Sequence, residues 1–329
     1  MRRLLFFVAL AIFSFSALPT NSPAALVWRK GEGWSFEGSE TLIGKNPTEQ
    51  LEIAKKWLAA KKYGNALGAY RRLLSKWPTS FAAEEGRMGL GECLSATGYH
   101  YKAFLQYKAL LEKTPNSVHF ETALQREFEI GNLFLGGTKH KILGMQFFPS
   151  QDKAVEVFTQ IVKTGPYSKV GAQAQMRLGM VYEKQADYIS AVHAYEKVIE
   201  RYPDTKNAET AQFKIGTAYK QEALRAEYDQ NTANQAITAF SDYLTKHPKG
   251  EFVADATKSL STLKLAQAQG LYRIGEFYEK QQKTKSALIY YNEVIEKTPR
   301  STWAELAQKK VAFLTPASTP TPTAEPATP

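Results

Sequence analysis

The sequence contains very few of the residues from which metal and thiol sites are built. Its 329 residues include one cysteine, Cys93, and five histidines, none with a second histidine or cysteine at metal-ligand spacing. A single cysteine excludes a disulfide within the chain. The motifs H-E-x-x-H and G-x-S-x-G and the glycine-rich phosphate loop are missing too. We therefore predict that the protein is not an enzyme and that it uses neither a metal nor a cofactor.

Runs of positive charge are also missing, although the chain is basic. The formal net charge is +10 at pH 7, but the lysines are scattered, and no zinc spacing or RNA-binding aromatic motif occurs. The simplest interpretation is that the lysines are spread over solvated helix faces and that the excess positive charge keeps the protein soluble. Attraction to an acidic partner or to a membrane surface is the alternative interpretation. We predict that nucleic acid is not a partner.

Long apolar runs are nearly absent. The run at residues 4–15 is too short to cross a bilayer core of about 30 Å as a helix. Arg2 and Arg3 precede it, and the small residues of 22–24 follow it, as in a secretory signal peptide over residues 1–24. We therefore expect export across the inner membrane into the periplasm. Because no cysteine lies near the cleavage site, no lipid acceptor is expected there, and membrane association stays open.

A repeated pair of helical patterns organises the rest of the chain. In residues 175–203, Gly179 and Ala191 stand where two helices would cross closely, and Tyr195 fills the space beside them. Pro203 ends the unit. This arrangement of small, aromatic and proline positions is the tetratricopeptide (TPR) pattern, a helix–turn–helix of about 34 residues.

The same unit recurs six times, each copy ending in a proline: Pro78, Pro115, Pro166, Pro203, Pro248 and Pro299. Twelve residues before each proline stands an alanine: Ala66, Ala103, Ala154, Ala191, Ala236 and Ala287. Eight residues before each stands an aromatic residue: Tyr70, Tyr107, Phe158, Tyr195, Phe240 and Tyr291. Chance amphipathic helices would not fix both spacings. We predict an all-α fold, a TPR α-solenoid of about six repeats over residues 48–314.

Several segments interrupt or flank the repeats. Residues 25–47 have no helical period and are expected to form an extended or hairpin-like cap on repeat one, or else a docking segment. Insertions are expected at 136–152 and 222–234, and a further helical stretch at 254–265 leads into repeat six. Residues 315–329, rich in proline and threonine, are expected to be a disordered tail.

A TPR array offers a groove lined by the first helix of each repeat. Counting from the small residue of each first helix gives the expected partner-binding positions. They are Lys55, Met88, Glu92, Phe128, Asn132, Met180, Lys184, Phe213, Lys220, Glu276 and Lys280. The apolar members would give adaptable contacts, and the lysines could pair with carboxylates of a partner.

Several motifs carry a closer resemblance. Repeats end in Tyr-Pro-Asp-Thr at 202–205 and in similar sequences at 77–80 and 247–250. A D-A-x-x-x-L segment within 252–260 precedes a long linking stretch and the G-x-F-Y sequence at 275–278. With the Phe147-Phe148 loop, this order resembles the BamD family, also called YfiO, the TPR component of the outer-membrane β-barrel assembly machine. The resemblance covers most of residues 48–312.

The resemblance implies an α-solenoid, usually of five repeats, at the periplasmic face of the outer membrane. Members are typically lipid-anchored and bind the periplasmic domains of the barrel insertase through their C-terminal repeats. Their N-terminal repeats are proposed to contact unfolded barrel proteins. By resemblance, Lys55, Met88 and Glu92 belong to the substrate half, and repeats five and six to the insertase-binding half.

The resulting hypothesis is a non-catalytic scaffold of the cell envelope that binds the barrel insertase, unfolded outer-membrane proteins, or both. A periplasmic adaptor of the Tol–Pal system, like CpoB (YbgF), is the alternative, although residues 26–47 are too short for the coiled coil such proteins carry. An envelope hydrolase is a third possibility, and it would need a cluster of titratable groups that the sequence does not show.

Overall fold

The computed structural model describes residues 26–29, 33–36, 43–142, 145–149, 151–225 and 230–315. Side chains are described for 43–138, 151–225 and 230–315. The expected signal peptide and the expected tail beyond residue 315 lie outside the described residues.

Helices dominate the described part of the chain. They are α1 (Pro47–Ala59), α2 (Tyr63–Lys76), α3 (Phe81–Ala96), α4 (His100–Lys113), α5 (Phe120–Leu135), α6 (Gln151–Thr164), α7 (Gly171–Lys184), α8 (Tyr188–Arg201), α9 (Lys206–Arg225), α10 (Gln230–Lys246), α11 (Val253–Lys280), α12 (Thr284–Lys297) and α13 (Thr302–Leu314). They form six helix pairs, α1/α2 to α11/α12, followed by α13. We call the first helix of each pair an A helix and the second a B helix. The predicted fold class, an all-α TPR solenoid of about six repeats, is confirmed.

Two short antiparallel hairpins are the only strands among the described residues. Strands β1 (Leu26–Arg29) and β2 (Gly33–Phe36) pair with Trp28 opposite Trp34, in agreement with the hairpin-like expectation for this segment. Strands β3 (Lys139–Ile142) and β4 (Met145–Pro149) occupy the insertion between α5 and α6. The sequence had predicted an insertion at this point but no strand.

The chain divides into two units, Met1–Cys93 and Leu94–Pro329. In the first, α1 packs against α2. In the second, each helix from α4 to α13 packs against the next along the chain.

The six repeated alanines and six repeated aromatics form the core of the helix pairs. All six alanines are fully buried, and the aromatics are at most 1% exposed. The repeated prolines all stand in the turns that follow the B helices. The spacing rule read from the sequence therefore identifies the core correctly in every repeat.

Close helix crossings explain the glycines of the A helices. A Cβ added at Gly131 would lie 2.7 Å from the ring of Phe158, and one at Gly275 would lie 2.7 Å from that of Tyr291. At Gly179, the added atom would overlap the ring of Tyr195. The aromatic ring of the B helix thus rests directly on the A-helix backbone, and any side chain at the crossing would push the two helices apart.

The structure defines two regions that the sequence had marked as additions to the repeats. The stretch 254–265 and the A helix of repeat six are not separate helices: α11 runs without a break over its 28 residues. The expected insertion at 222–234 mostly lengthens the flanking helices, because α9 extends to Arg225 and α10 begins at Gln230.

Candidate interaction surface

Within each unit, ion pairs connect an A helix to the helix that lies two places further along the chain. In the first unit, the Lys55 ammonium on α1 lies 2.8 Å from Glu85 on α3. In the second, Glu183 on α7 lies 3.1 Å from Lys214 on α9, and Glu279 on α11 lies 2.9 Å from Lys310 on α13. Each pair joins one repeat to the next.

The last of these pairs also involves the core tyrosine of its repeat. The Tyr291 hydroxyl donates a hydrogen bond of 2.6 Å to Glu279, whose other oxygen accepts from Lys310. Burial, followed by the bond to Glu279, raises the pKa of Tyr291. Burial alone would raise the pKa of Glu279, but the hydrogen bonds from Tyr291 and Lys310 outweigh it and lower that pKa. One carboxylate therefore joins three helices.

Repeat four places equivalent residues at the same spacing. Glu183 forms the ion pair with Lys214. Burial of the Tyr195 hydroxyl is the main cause that raises the pKa of Tyr195, and the negative charge of Glu183 adds to it. The Tyr195 hydroxyl makes no hydrogen bond of good geometry among the described residues, although Glu183 is its neighbour. This three-residue arrangement escaped the sequence interpretation, but the equal spacing from glutamate to lysine in both repeats could have revealed it.

A buried polar side chain stands four residues before the small residue of several A helices. Gln50 donates from Nε2 to the carbonyl oxygen of Ala69 at 3.1 Å, and Gln175 donates to that of Ala194 at 2.9 Å. Both acceptors lie three residues after the repeated alanine of the B helix. This buried hydrogen bond thus joins the A helix to the B helix of the same repeat.

Repeat three has a carboxyl group, Glu127, at this position. Glu127 is fully buried, and neither of its oxygens has a hydrogen-bond partner among the described residues. Burial raises the pKa of Glu127 well above its ordinary value, with Lys108 opposing the rise and Glu112 adding to it. Sequence reasoning missed this residue because it considered glutamates as surface charges.

Three of the predicted groove residues lie in or against the core. Met88 is 6% exposed and Phe128 is 7% exposed, with the Phe128 ring packed edge-on against Phe158. Phe213 is half-buried and stacks on Phe252 with ring centroids 4.6 Å apart. Their expectation as open apolar contacts requires correction: large apolar side chains facing a neighbouring helix are buried by it.

The remaining predicted residues lie at or near the surface. Lys184 is exposed and donates to the carbonyl oxygen of Leu135 at 2.6 Å, while Lys220 reaches Ser259 at 3.4 Å. Lys280 is exposed, and the half-buried residues are Lys55, Glu92, Asn132, Met180 and Glu276. The surface formed by the A helices is thus polar, and several of its side chains are already paired between repeats.

The described residues hold no cluster of three or more histidine, cysteine or acidic side chains suited to a metal ion. Cys93 is buried in α3, and burial, followed by the charge of Glu92, raises its pKa to about 11. A thiol with so high a pKa is a poor nucleophile. Within the described ranges, no helix combines the length and the apolar character needed to cross a membrane.

These features define the class of protein. Stacked helix pairs with small residues at the crossings make the chain a TPR protein, a class of protein-interaction scaffold that is typically non-catalytic. Residues 149–314, just over half of the chain, match the model of the YfiO family, described as outer membrane lipoproteins. The chain belongs to the YfiO family. The match begins at the end of β4, so Lys55, Met88 and Glu92 lie outside it.

Solved TPR structures resemble the chain at low identity. A crystal structure of the MamA protein is 22% identical, with a TM-score of 0.34, and the match covers 64% of this chain and 97% of MamA. The C-terminal part of a TPR protein from Cytophaga hutchinsonii is 15% identical, with a TM-score of 0.38 and coverage of 82% and 90%. A TPR protein from Parabacteroides merdae is 12% identical, with a TM-score of 0.34 and coverage of 82% and 99%. No curated protein sequence matches the chain.

Proposed function

We propose that the protein is a scaffold of the cell envelope that binds the periplasmic domains of a β-barrel insertase, unfolded outer-membrane proteins, or both. The YfiO match over residues 149–314 is the observation that carries this proposal. We place the protein in the periplasm, at the inner surface of the outer membrane, after export directed by residues 1–24. Cys93, buried in its helix, is not placed to carry a lipid.

The surface of the A helices supports a binding role without catalysis. Its outermost charged groups among the predicted residues are Lys184 and Lys280, both exposed at the C-terminal ends of their helices. Between them, the Glu183–Lys214 ion pair joins α7 to α9 and the Lys220–Ser259 hydrogen bond joins α9 to α11, so the surface is presented with little rearrangement. A preformed surface loses less conformational entropy on binding. Repeats four to six, which contain these lysines, lie within the matched residues.

The proposal can be tested with a photo-activated crosslinking residue at Lys184 or Lys280 of the full chain in its own cells. We expect crosslinks to the barrel insertase or to barrel precursors. Asn292, exposed on the B helix α12, is the matched control and should not give them. Crosslinks to Tol–Pal components instead, or equal crosslinking from Asn292, would contradict the proposal.

A further inference from the structure

Helix α8 separates its charged side chains by sign. His193, Lys197 and Arg201 follow one another at intervals of four residues, which places them along one side of the helix. Glu196 and Glu200 share the same interval on another side. Each side faces a different cleft between neighbouring B helices.

The first cleft lies between α6 and α8, with α7 forming its floor. Its volume is about 620 Å³, and Lys163, Lys197 and Arg201 line it together with His193, while no carboxylate does. Among the described residues, no acidic oxygen lies within 4.0 Å of the charged nitrogens of Lys163, Lys197 or Arg201. We call it the basic cleft.

Apolar and aromatic groups stand beside these cations. Tyr167, at the turn after α6, is 88% exposed, and Val162 and Tyr182 also line the basic cleft. His193 is 68% exposed and lies 3.2 Å from Glu196, so it is already engaged. Three unpaired cations beside an exposed ring suit a ligand that carries both carboxylates and apolar side chains.

The second cleft, between α8 and α10 over α9, has a similar volume of about 590 Å³ and the opposite charge. Glu196, Glu200 and Asp242 line it, with Lys246 as its one lysine. The positive charge of the basic cleft is therefore not shared by the cleft on the other side of α8. This acidic cleft also provides an internal comparison for experiments.

We propose that the basic cleft binds an acidic, extended segment of a partner polypeptide. Its carboxylates would pair with Lys163, Lys197 and Arg201, and an aromatic or apolar side chain would pack on Tyr167. A flat anionic bilayer fits less well, because the positive groups line a concave cleft and Glu196 and Glu200 stand on the next side of the same helix. This surface lies among B helices, so the inference does not depend on the binding role proposed for the A helices.

Fluorescence anisotropy of the full chain with a fluorescein-labelled peptide of alternating glutamate and tyrosine tests this directly. Reversing two cations in the Lys197→Glu/Arg201→Glu double variant should weaken binding about tenfold or more, as expected when charge-assisted contacts become repulsive. Added salt should weaken binding to the parent protein. A peptide of alternating lysine and tyrosine should bind no better to the parent than to the double variant.

The Lys246→Glu/Lys249→Glu double variant is the matched control, because it makes the same charge change away from the basic cleft. It should retain the parent's affinity within about twofold, as expected for exposed charges at a distance. Equal weakening in both double variants would overturn the proposal, as would failure of the parent to bind the acidic peptide. Binding of vesicles with anionic phospholipid that depends on Lys197 and Arg201, without peptide binding, would assign the cleft to lipid and overturn it too. Circular dichroism checks that the variants remain folded.

Discussion

At the scale of single residues, the buried polar position of the A helices shows how the exchange of an amide nitrogen for a carboxylate oxygen removes a hydrogen-bond donor from the core. Gln50 and Gln175 donate an amide hydrogen to a carbonyl oxygen of the B helix. Glu127 stands at the same position of repeat three, where an ionised carboxylate can only accept. Protonation turns the carboxyl group into a donor, which agrees with the upward direction of its pKa.

The Glu127→Gln variant should therefore be more stable than the parent at neutral pH. The folded protein keeps Glu127 protonated above its ordinary pKa of 4.5, whereas the unfolded chain ionises it, so this group loses stability as pH rises above that value. A glutamine removes the loss, and the expected gain at pH 7 is about 1–3 kcal/mol, the usual cost of an unsatisfied buried polar group. Thermal unfolding by circular dichroism between pH 4 and 8 measures it.

Glu129→Gln, on the exposed side of the same helix, where Glu129 pairs with Arg126 at 3.0 Å, is the control and should change the stability by no more than about 1 kcal/mol. If the stability of the parent and that of Glu127→Gln change with pH in the same way, Glu127 is ionised and hydrogen-bonded in the folded protein, contrary to this account.

How much could be predicted at this scale depended on the kind of residue. Ala191 and Tyr195 were identified because repeated spacing marks them, and both are fully buried. Glu127 shares its offset with Gln50 and Gln175, but polar residues were assumed to face solvent. Met88 and Phe128 were placed on an open groove because a first-helix position does not reveal how closely the neighbouring helix covers it.

At the scale of helices, the crossing between a glycine backbone and an aromatic ring determines how close a pair can approach. The Gly179→Ala variant should lose about 1–3 kcal/mol of unfolding free energy, because its added methyl would overlap the Tyr195 ring in a packed core. Urea unfolding followed at 222 nm measures the loss.

Gly68→Ala is the matched control, since nothing lies within 4 Å of the added atom and the residue stands inside α2. It should be neutral or stabilising by up to about 1 kcal/mol, because alanine favours a helix interior more than glycine does. Equal effects of the two substitutions would rule out close crossing as the reason for Gly179.

Element boundaries were only partly predictable. The helix–turn–helix of residues 175–203 was predicted, and Ala186 in its turn adopts the left-handed conformation, with φ of 57°. The stretch 254–265 was expected to lead into repeat six, and it is continuous with the A helix of that repeat in α11, where Gly275 serves the crossing with Tyr291. Strands β3 and β4 were missed because an inserted hairpin carries no repeat spacing.

At the scale of the whole molecule, each helix pair should be stabilised mainly by the contacts it makes with the neighbouring pairs, so a local loss of stability should affect those neighbours first. In the second unit, α8 packs against α7 and α9, whereas α12 packs against α11 and α13. Hydrogen exchange of Gly179→Ala should therefore be faster than in the parent in α7, α8 and α9, and nearly unchanged in α12 and α13. Uniform acceleration across all of these helices would instead indicate one cooperative core.

Repeats four and six each place a glutamate beside the core tyrosine and in an ion pair with a lysine of the helix after next: Glu183 with Tyr195 and Lys214, and Glu279 with Tyr291 and Lys310. The tyrosine donates a hydrogen bond to the glutamate in repeat six. Each of these glutamates lies beside the tyrosine of the B helix in its own repeat and pairs with a lysine of the helix that follows this B helix. The junction after α8 and the junction after α12 therefore contain the same glutamate–lysine ion pair. Recombination between these two junctions could therefore add or remove two whole repeats of an ancestral chain, and the glutamate and the lysine at the new junction would still pair.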